Sequence, residues 1–268
     1  MKLLWLNLWF TKAYFQIMNL SSTTRFSKRS NDYQKYRPSY PEAVVTYLEQ
    51  TIGLKKDCEI ADIGSGTGIF SALLLKHGYS LKGIEPNKNM RAHAENRLGH
   101  YDHFKSINGT AEETGLDNQS IDLITAAQSF HWFDIPRVKA EFYRIAKPGA
   151  HALLIWNILQ DRTDFLKEYQ ALKDKYAPDL IHPHRANPEN IQAFFEPHEL
   201  TIQNLYHSQT LDKTSLKGYL LSFSTVPLIG HPDYEPMMEE LEALFDKHEQ
   251  NGQVKMEYET RLYLAQIS

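Results

Sequence analysis

The stretch Ile60-Ala61-Asp62-Ile63-Gly64-Ser65-Gly66-Thr67-Gly68 constrains this chain more than any other. A mostly apolar strand runs into three alternate glycines and then into a helix, from Ile69 to His77, closed by Gly78. A backbone that turns sharply from strand to helix needs positive φ and close approach to a ligand, and a Cβ resists both. The turn therefore predicts a nucleoside-sized ligand lying against it, facing the free N–H groups of the helix start. A plain tight strand–helix turn is the other reading. Spacing narrows the ligand. A dinucleotide fold arranges its glycines as Gly-x-Gly-x-x-Gly, which would put the third at position 69, and that residue is Ile69.

A second feature falls at a matching distance. Ser80-Leu81-Lys82-Gly83-Ile84-Glu85-Pro86 reads as the next strand, and Glu85 stands at its carboxyl end. A carboxylate about 20 residues after the glycines can accept from two ribose hydroxyls. Taken alone, an acid at a strand end is a solvated terminus or a helix cap. After this turn, at this spacing, it reads as a ligand contact.

Composition sets the frame. With 268 residues, 42% apolar and 23% charged, the chain can bury a substantial core and reads as an α/β globule. A net charge of −4 gives no general attraction to polyanions, so nucleic acid is not favoured as a partner. The one basic run is short, from Arg25 to Lys28-Arg29. A single cysteine, Cys58, excludes an internal disulfide and fits a reducing, cytoplasmic setting.

Met1 to Phe10 imitates a secretory leader, but Asn7 and Lys12 interrupt the apolar run and no small-x-small cleavage site follows. No stretch approaches the roughly 20 apolar residues that span a bilayer. Residues 1–17 are expected to be a poorly ordered extension, with Met18 as an alternative start and an amphipathic surface anchor as the functional alternative. Residues 18–268 then form one domain, with a core over about 32–157 and a cap with terminal strands over 158–268.

Phe26 to Pro41 is rich in aromatic and basic residues and carries Pro38 and Pro41, so it is not one regular helix. It reads either as a lid presenting Tyr33, Tyr36 and Arg37 or as a loop pinned by aromatic packing. Pro41 opens a helix through Glu49. Another helix spans Asn87 to Leu98, stopped by Gly99, and a short strand lies near Phe104 to Ile107. Gly109-Thr110-Ala111-Glu112-Glu113 forms a turn at that strand's carboxyl end, the edge where open parallel sheets bind ligands. Ser120 to Ala127 is apolar enough for a strand buried on both faces. It emerges as Gln128-Ser129-Phe130-His131-Trp132-Phe133-Asp134, after which Asp134 caps a helix with Pro136 in its first turn. Lys147-Pro148-Gly149-Ala150 ends that helix, and Ala152 to Trp156 is the next strand. Strands alternating with helices make a doubly wound sheet the default. Beyond it, helices are expected near Asp164 to Tyr176, Pro188 to Phe195, Asp212 to Phe223 and Tyr234 to His248, with strands at Leu200 to Thr210 and Lys255 to Ala265.

As a set, Asp62 to Gly68, Glu85, Gly109 to Glu112, Gln128 to Asp134 and Lys147-Pro148-Gly149 resemble the small-molecule class I S-adenosylmethionine (SAM)-dependent methyltransferases, over roughly residues 32–157. The lid-like start and Gln-Ser-Phe-His-Trp-Phe are similar to a methyltransferase type 11-like subgroup that includes trans-aconitate methyltransferases. The resemblance implies a Rossmann-like sheet of about seven strands with an antiparallel terminal strand and a small helical cap. It implies SAM as cofactor, with Asp62, Gly64, Gly66 and Gly68 at the methionine portion and Glu85 at the ribose. Ala111 and Glu112 then lie beside the adenine, although Glu112 reads equally as a helix cap. Gln128 faces the sulfonium side, and Arg37 meets a carboxylate of SAM or of the substrate. The acceptor is then a small molecule, with a carboxylic acid as one candidate, and the protein a monomer or homodimer without stable membrane association.

For a hydroxyl acceptor His131 is the candidate general base, because it leaves the carboxyl end of a central strand; otherwise it packs on Trp132. Methyltransferases acting on nucleobase amines place (Asp/Asn)-Pro-Pro-aromatic where this chain has Gln128-Ser129-Phe130-His131. The pairs His182 and His184, and His100 and His103, do not form a recognised metal-ligand pattern, so no metal is expected. A nucleotide-dependent oxidoreductase and a non-catalytic SAM-binding protein are the alternatives in other classes.

Overall fold

The computed structural model describes residues 30–177 and 187–268. The leader-like start, the 1–17 extension, Met18, the Arg25 to Arg29 run with the first residues of the lid segment, and the His182/His184 pair lie outside the described residues.

In chain order the elements are α1 (Ser30–Tyr36), α2 (Ala43–Ile52), β1 (Glu59–Ile63), α3 (Ile69–Lys76), β2 (Ser80–Ile84), α4 (Lys88–Leu98), β3 (Phe104–Ile107) and β4 (Ile121–Ala127). A 3-10 turn (Phe130–Trp132) precedes α5 (Ile135–Ile145), β5 (Ala146–Leu159), α6 (Asp164–Tyr176), α7 (Pro188–Phe195), β6 (Thr201–Leu211), α8 (Lys213–Leu221), α9 (Tyr234–His248) and β7 (Val254–Gln266). The strands form one sheet in the order β3-β2-β1-β4-β5-β7-β6. Neighbours from β3 to β5 pair in parallel, and β7 runs antiparallel to both β5 and β6. This is a Rossmann-like doubly wound sheet with an antiparallel strand near one edge.

The apolar character of the central strands follows from helices on both faces. Successive residues point to opposite sides: Ile60, Leu123 and Leu153 join the layer under α2 and α3, whereas Ala61, Ile124 and Leu154 join the layer under α5 and α7. A third apolar cluster belongs to α6, α8, α9 and the adjoining ends of β6 and β7, and forms the cap.

Two expectations need correction. The pattern ends helix α5 at Lys147-Pro148-Gly149-Ala150 and starts the strand at Ala152, but α5 ends at Ile145 and β5 begins at Ala146. Ala146 pairs with Ile121, and the register resumes only at His151 opposite Leu123. The intervening residues form an irregularity, the arrangement a proline without an N–H and a glycine at φ 83° favour inside a strand. Second, α7 is not part of the cap. Its Phe194 ring lies 4.8 Å from Phe130 and 5.6 Å from Phe142, edge to face, so it extends the sheet layer.

Part of the segment read as a lid is helical. The ring of Tyr36 packs so closely on Gly218 of α8 that a Cβ there would stand 2.1 Å from it, and Tyr36 thereby fastens α1 to the cap.

Candidate active site

At the carboxyl ends of the parallel strands a cavity of about 290 Å³ opens between the sheet and the cap, near the lower edge of the roughly 300–1,000 Å³ common for small-molecule sites. The glycine turn forms its floor. Gly64, Gly66 and Gly68 have φ of 66°, 58° and 75°, so all three occupy the left-handed region. Their surroundings differ. A Cβ on Gly66 would meet nothing within 4 Å, whereas one on Gly68 would stand 2.5 Å from Leu98 and one on Gly64 2.7 Å from Ser129. Gly66 faces open cavity, while Gly64 and Gly68 let other parts of the protein approach.

Glu85 follows β2 and is nearly buried. Its carboxylate accepts from the backbone N–H of Gly66 at 3.0 Å and of Asn87 at 2.8 Å. Burial holds its pKa above the ordinary value, against the lowering pull of those N–H groups and of Arg91. A carboxylate offers about four lone-pair sites, so two remain for a vicinal diol. Ala111 and Glu112 also line the cavity, on the turn after β3. Glu112 serves both readings offered for it: it lines the wall, and its carboxylate accepts from the N–H of Asp134, the cap residue of α5, at 2.9 Å.

Gln128 lines the opposite wall with φ 54°, unusual for a residue carrying a side chain. Its side-chain amide donates to the Asn157 carbonyl at 3.1 Å, and the neighbouring Ser129 hydroxyl donates to the Ile63 carbonyl at 2.8 Å. The second bond ties this turn to the glycine turn.

Three expected site residues stand off the cavity wall. Asp62 is fully buried beneath the turn, where the hydroxyls of Ser71 and Thr125 donate to it at 2.7 and 3.0 Å. Burial raises its pKa to about 6, opposed by those two bonds. It supports the turn from below. Gly68 starts α3 against Leu98. From the 3-10 turn, Trp132 lines the cavity and His131 does not, because three residues per turn set adjacent side chains about 120° apart. The His131 ring lies 4.9 Å from that of Trp132.

From the lid segment, Tyr33 and Arg37 line the cavity, whereas Tyr36 is spent on Gly218. Arg37 leans toward the cap: its guanidinium carbon is 4.0 Å from the Phe223 ring centre, and it donates to the Ser222 carbonyl at 3.2 Å. Sequence reasoning missed Tyr219 and Tyr258, which complete the cap side, and Asn157, whose side chain donates to the Ser39 carbonyl and accepts from Thr260. No motif marks them; only the position of Asn157 beyond the expected strand Ala152 to Trp156 gave a signal. Among the described residues no group of three or more His, Cys, Asp or Glu is placed to hold a metal, and no helix is long and apolar enough to cross a membrane.

A glycine turn and a strand-end acid on a 3-2-1-4-5-7-6 sheet define the class I SAM-dependent methyltransferase architecture. Residues 61–154 match the family model described as a methyltransferase domain, and the chain has the fold of that class. An uncharacterized methyltransferase of Mycobacterium bovis is 29% identical over 143 residues, 53% of this chain and 56% of its own length. An uncharacterized methyltransferase-like protein of Schizosaccharomyces pombe is 26% identical over 149 residues, 55% of this chain and 57% of its own length. These matches thus span little more than half the length of either relative. The fold agrees with a solved structure described as a candidate type II methyltransferase from Anaeromyxobacter dehalogenans, at TM-score 0.65 and 21% identity over 86% of this chain and 97% of that one.

Proposed function

We propose that this chain is a SAM-dependent methyltransferase acting on a small molecule, with a carboxylic acid as the favoured acceptor class. The observation that carries the reading is Glu85, whose buried carboxylate is locked by the N–H groups of Gly66 and Asn87 while lining the cavity. Those two N–H groups set the orientation of the carboxylate, which leaves its other lone pairs for a diol.

Bound SAM would supply a methyl group already activated on a positive sulfur. Gly66 leaves room for the methionine portion, Glu85 accepts from the ribose hydroxyls, and Ala111 with Glu112 walls the adenine. Gln128 and Trp132 border the space left for the acceptor. The residues' main task is alignment, which can supply about 7–11 kcal/mol. A general base typically adds 10² to 10⁴ in rate, about 3–5 kcal/mol. Alignment outranks proton removal, and a carboxylate acceptor needs no base. We therefore assign none, and give His131 a packing role against Trp132. The net charge of −4 and the absence of a (Asp/Asn)-Pro-Pro-aromatic sequence after β4 weigh against nucleic acid as substrate. The single cysteine fits a cytoplasmic setting.

The test is mass spectrometry of a metabolite extract incubated with purified protein and methyl-labelled SAM. A labelled small-molecule product that requires the protein is expected. Tight SAM binding with no labelled product from any extract would leave a non-catalytic SAM-binding protein as the better description.

A further inference from the structure

We propose that the outer edge of β6 is the interface of a symmetric homodimer, in which two copies of this chain pair antiparallel through that strand about a two-fold axis at Tyr206. Such pairing is independent of what the cavity binds.

The two edges of the sheet differ in how they are protected. A free edge is a row of unpaired N–H and C=O groups, and proteins blunt it with short length, charge, proline or a bulge. Strand β3 is blunted, being four residues long with an exposed Lys105. Strand β6 is not. It runs for 11 residues, Thr-Ile-Gln-Asn-Leu-Tyr-His-Ser-Gln-Thr-Leu, without an Asp, Glu, Lys, Arg, Pro or Gly. All of them, from Thr201 to Leu211, pair with β7 in unbroken register, so no bulge turns the strand away. No described strand pairs with its other side. Ile202, Asn204, Tyr206 and Thr210 are exposed on one face. Ile202 at 53% and Tyr206 at 55% are two of the four large apolar side chains left exposed among the described residues, so this edge is unusually sticky as well as unguarded.

The pattern along the strand selects the occupant. An antiparallel pair about a two-fold axis at Tyr206 sets opposite each other the residues that lie equally far from it on either side. Tyr206 then meets its own copy, Asn204 faces Ser208, and Ile202 faces Thr210, so aromatic, hydrogen-bonding and β-branched side chains meet partners of their own kind. Just past the paired residues, the exposed Glu199 comes opposite Lys213 at the head of α8, once at each end. Lys213 already reaches Asp246 at 2.5 Å, so Glu199 adds a second carboxylate to it. A neutral strand lets two copies approach without repulsion, and opposite charges at its two ends fix this register over its neighbours. A strand of unrelated sequence has no reason to match both ends. Because β5 and β6 both run antiparallel to β7, the carboxyl end of β6 lies on the side of the sheet that carries the cavity. The two copies thus present their cavities at opposite ends of the joined sheet, each built from one chain.

Sedimentation velocity on the full chain measures this directly. A reversible dimer is expected at tens of micromolar. Tyr206→Lys, which sets two like charges against each other on the axis, is expected to weaken the dimer at least tenfold while the circular dichroism melt stays where it was. Glu199→Lys, which opposes Lys213, is expected to weaken it severalfold. Cross-linking reads the register: with Cys58→Ser removing the native thiol, Tyr206→Cys is expected to form a covalent dimer on mild oxidation and Ile202→Cys is not. A parent chain that stays monomeric overturns the proposal, including one whose β6 amides resist hydrogen exchange because another segment of the chain covers them. A dimer indifferent to Tyr206→Lys overturns it by placing the interface elsewhere. Cross-linking through Ile202→Cys instead of Tyr206→Cys overturns the assigned axis.

Discussion

Asp62 shows how a site residue can act without touching a ligand. Its carboxyl titrates near 3.8 when free and near 6 in the fold, because burial disfavours the charge more than Ser71 and Thr125 favour it. Between those values the folded chain holds a proton that the unfolded chain has released. Stability therefore falls as pH rises from about 4 to about 6 and is level above, a loss of up to roughly 3 kcal/mol from this group. Asp62→Asn should lack that decline, so urea midpoints measured from pH 4.5 to 8 should show the variant gaining on the parent chain through the window. A difference independent of pH would contradict the assignment. Glu85→Ala should behave differently. It removes a charge-assisted acceptor, worth about 1.5–3 kcal/mol and so at least tenfold in SAM affinity, and strands two N–H donors at about 1–3 kcal/mol of stability. For His131→Ala, which alters packing on Trp132, turnover on the true acceptor should stay within a few-fold, and a loss of a hundredfold would restore the residue as a base.

Among the elements, the glycine turn separates folding from binding. Gly66→Ala adds a methyl facing open cavity, so it should cost roughly 1–2 kcal/mol through its left-handed φ and lose SAM affinity more than tenfold. Gly68→Ala drives its methyl into Leu98, so stability should suffer most. Thermal melts and titrations of the pair should show opposite rankings; equal effects on both properties would contradict the division. The same elements explain what was legible in the sequence. The limits of α6, α7 and α9 match the expected ones because their signals are local: the structure shows Thr163 capping α6 and Pro188 at the head of α7, and in α9 an apolar stripe runs through Met238, Leu241 and Phe245. The glycine turn and Glu85 were legible because backbone geometry and spacing are local properties. Tyr219, Tyr258 and the α7 contact with Phe130 were not, since they depend on how the cap settles on the sheet, which no short pattern encodes. His131 was misplaced by one residue's rotation in a 3-10 turn.

At the scale of the whole molecule, α1 bridges from α4, beside the sheet, to α8 of the cap, and its Tyr33 lines the cavity. The bridge rests on the absence of a side chain at Gly218, where the ring of Tyr36 seats. Gly218→Ala should displace α1 from α8, weakening ligand affinity severalfold and hastening proteolysis within residues 30–40 while the sheet stays folded by circular dichroism. Unchanged cleavage and affinity would show that α1 is held elsewhere. The reading as a whole depends on one nucleoside being gripped by the glycine turn and by Glu85 together. The most direct measurement is calorimetric titration of SAM and S-adenosylhomocysteine into the purified chain beside its Glu85→Ala variant. The account expects saturable one-site binding of both by the parent chain and at least tenfold weaker binding by the variant. No heat and no thermal shift with either compound, or equal binding by the two proteins, would contradict it.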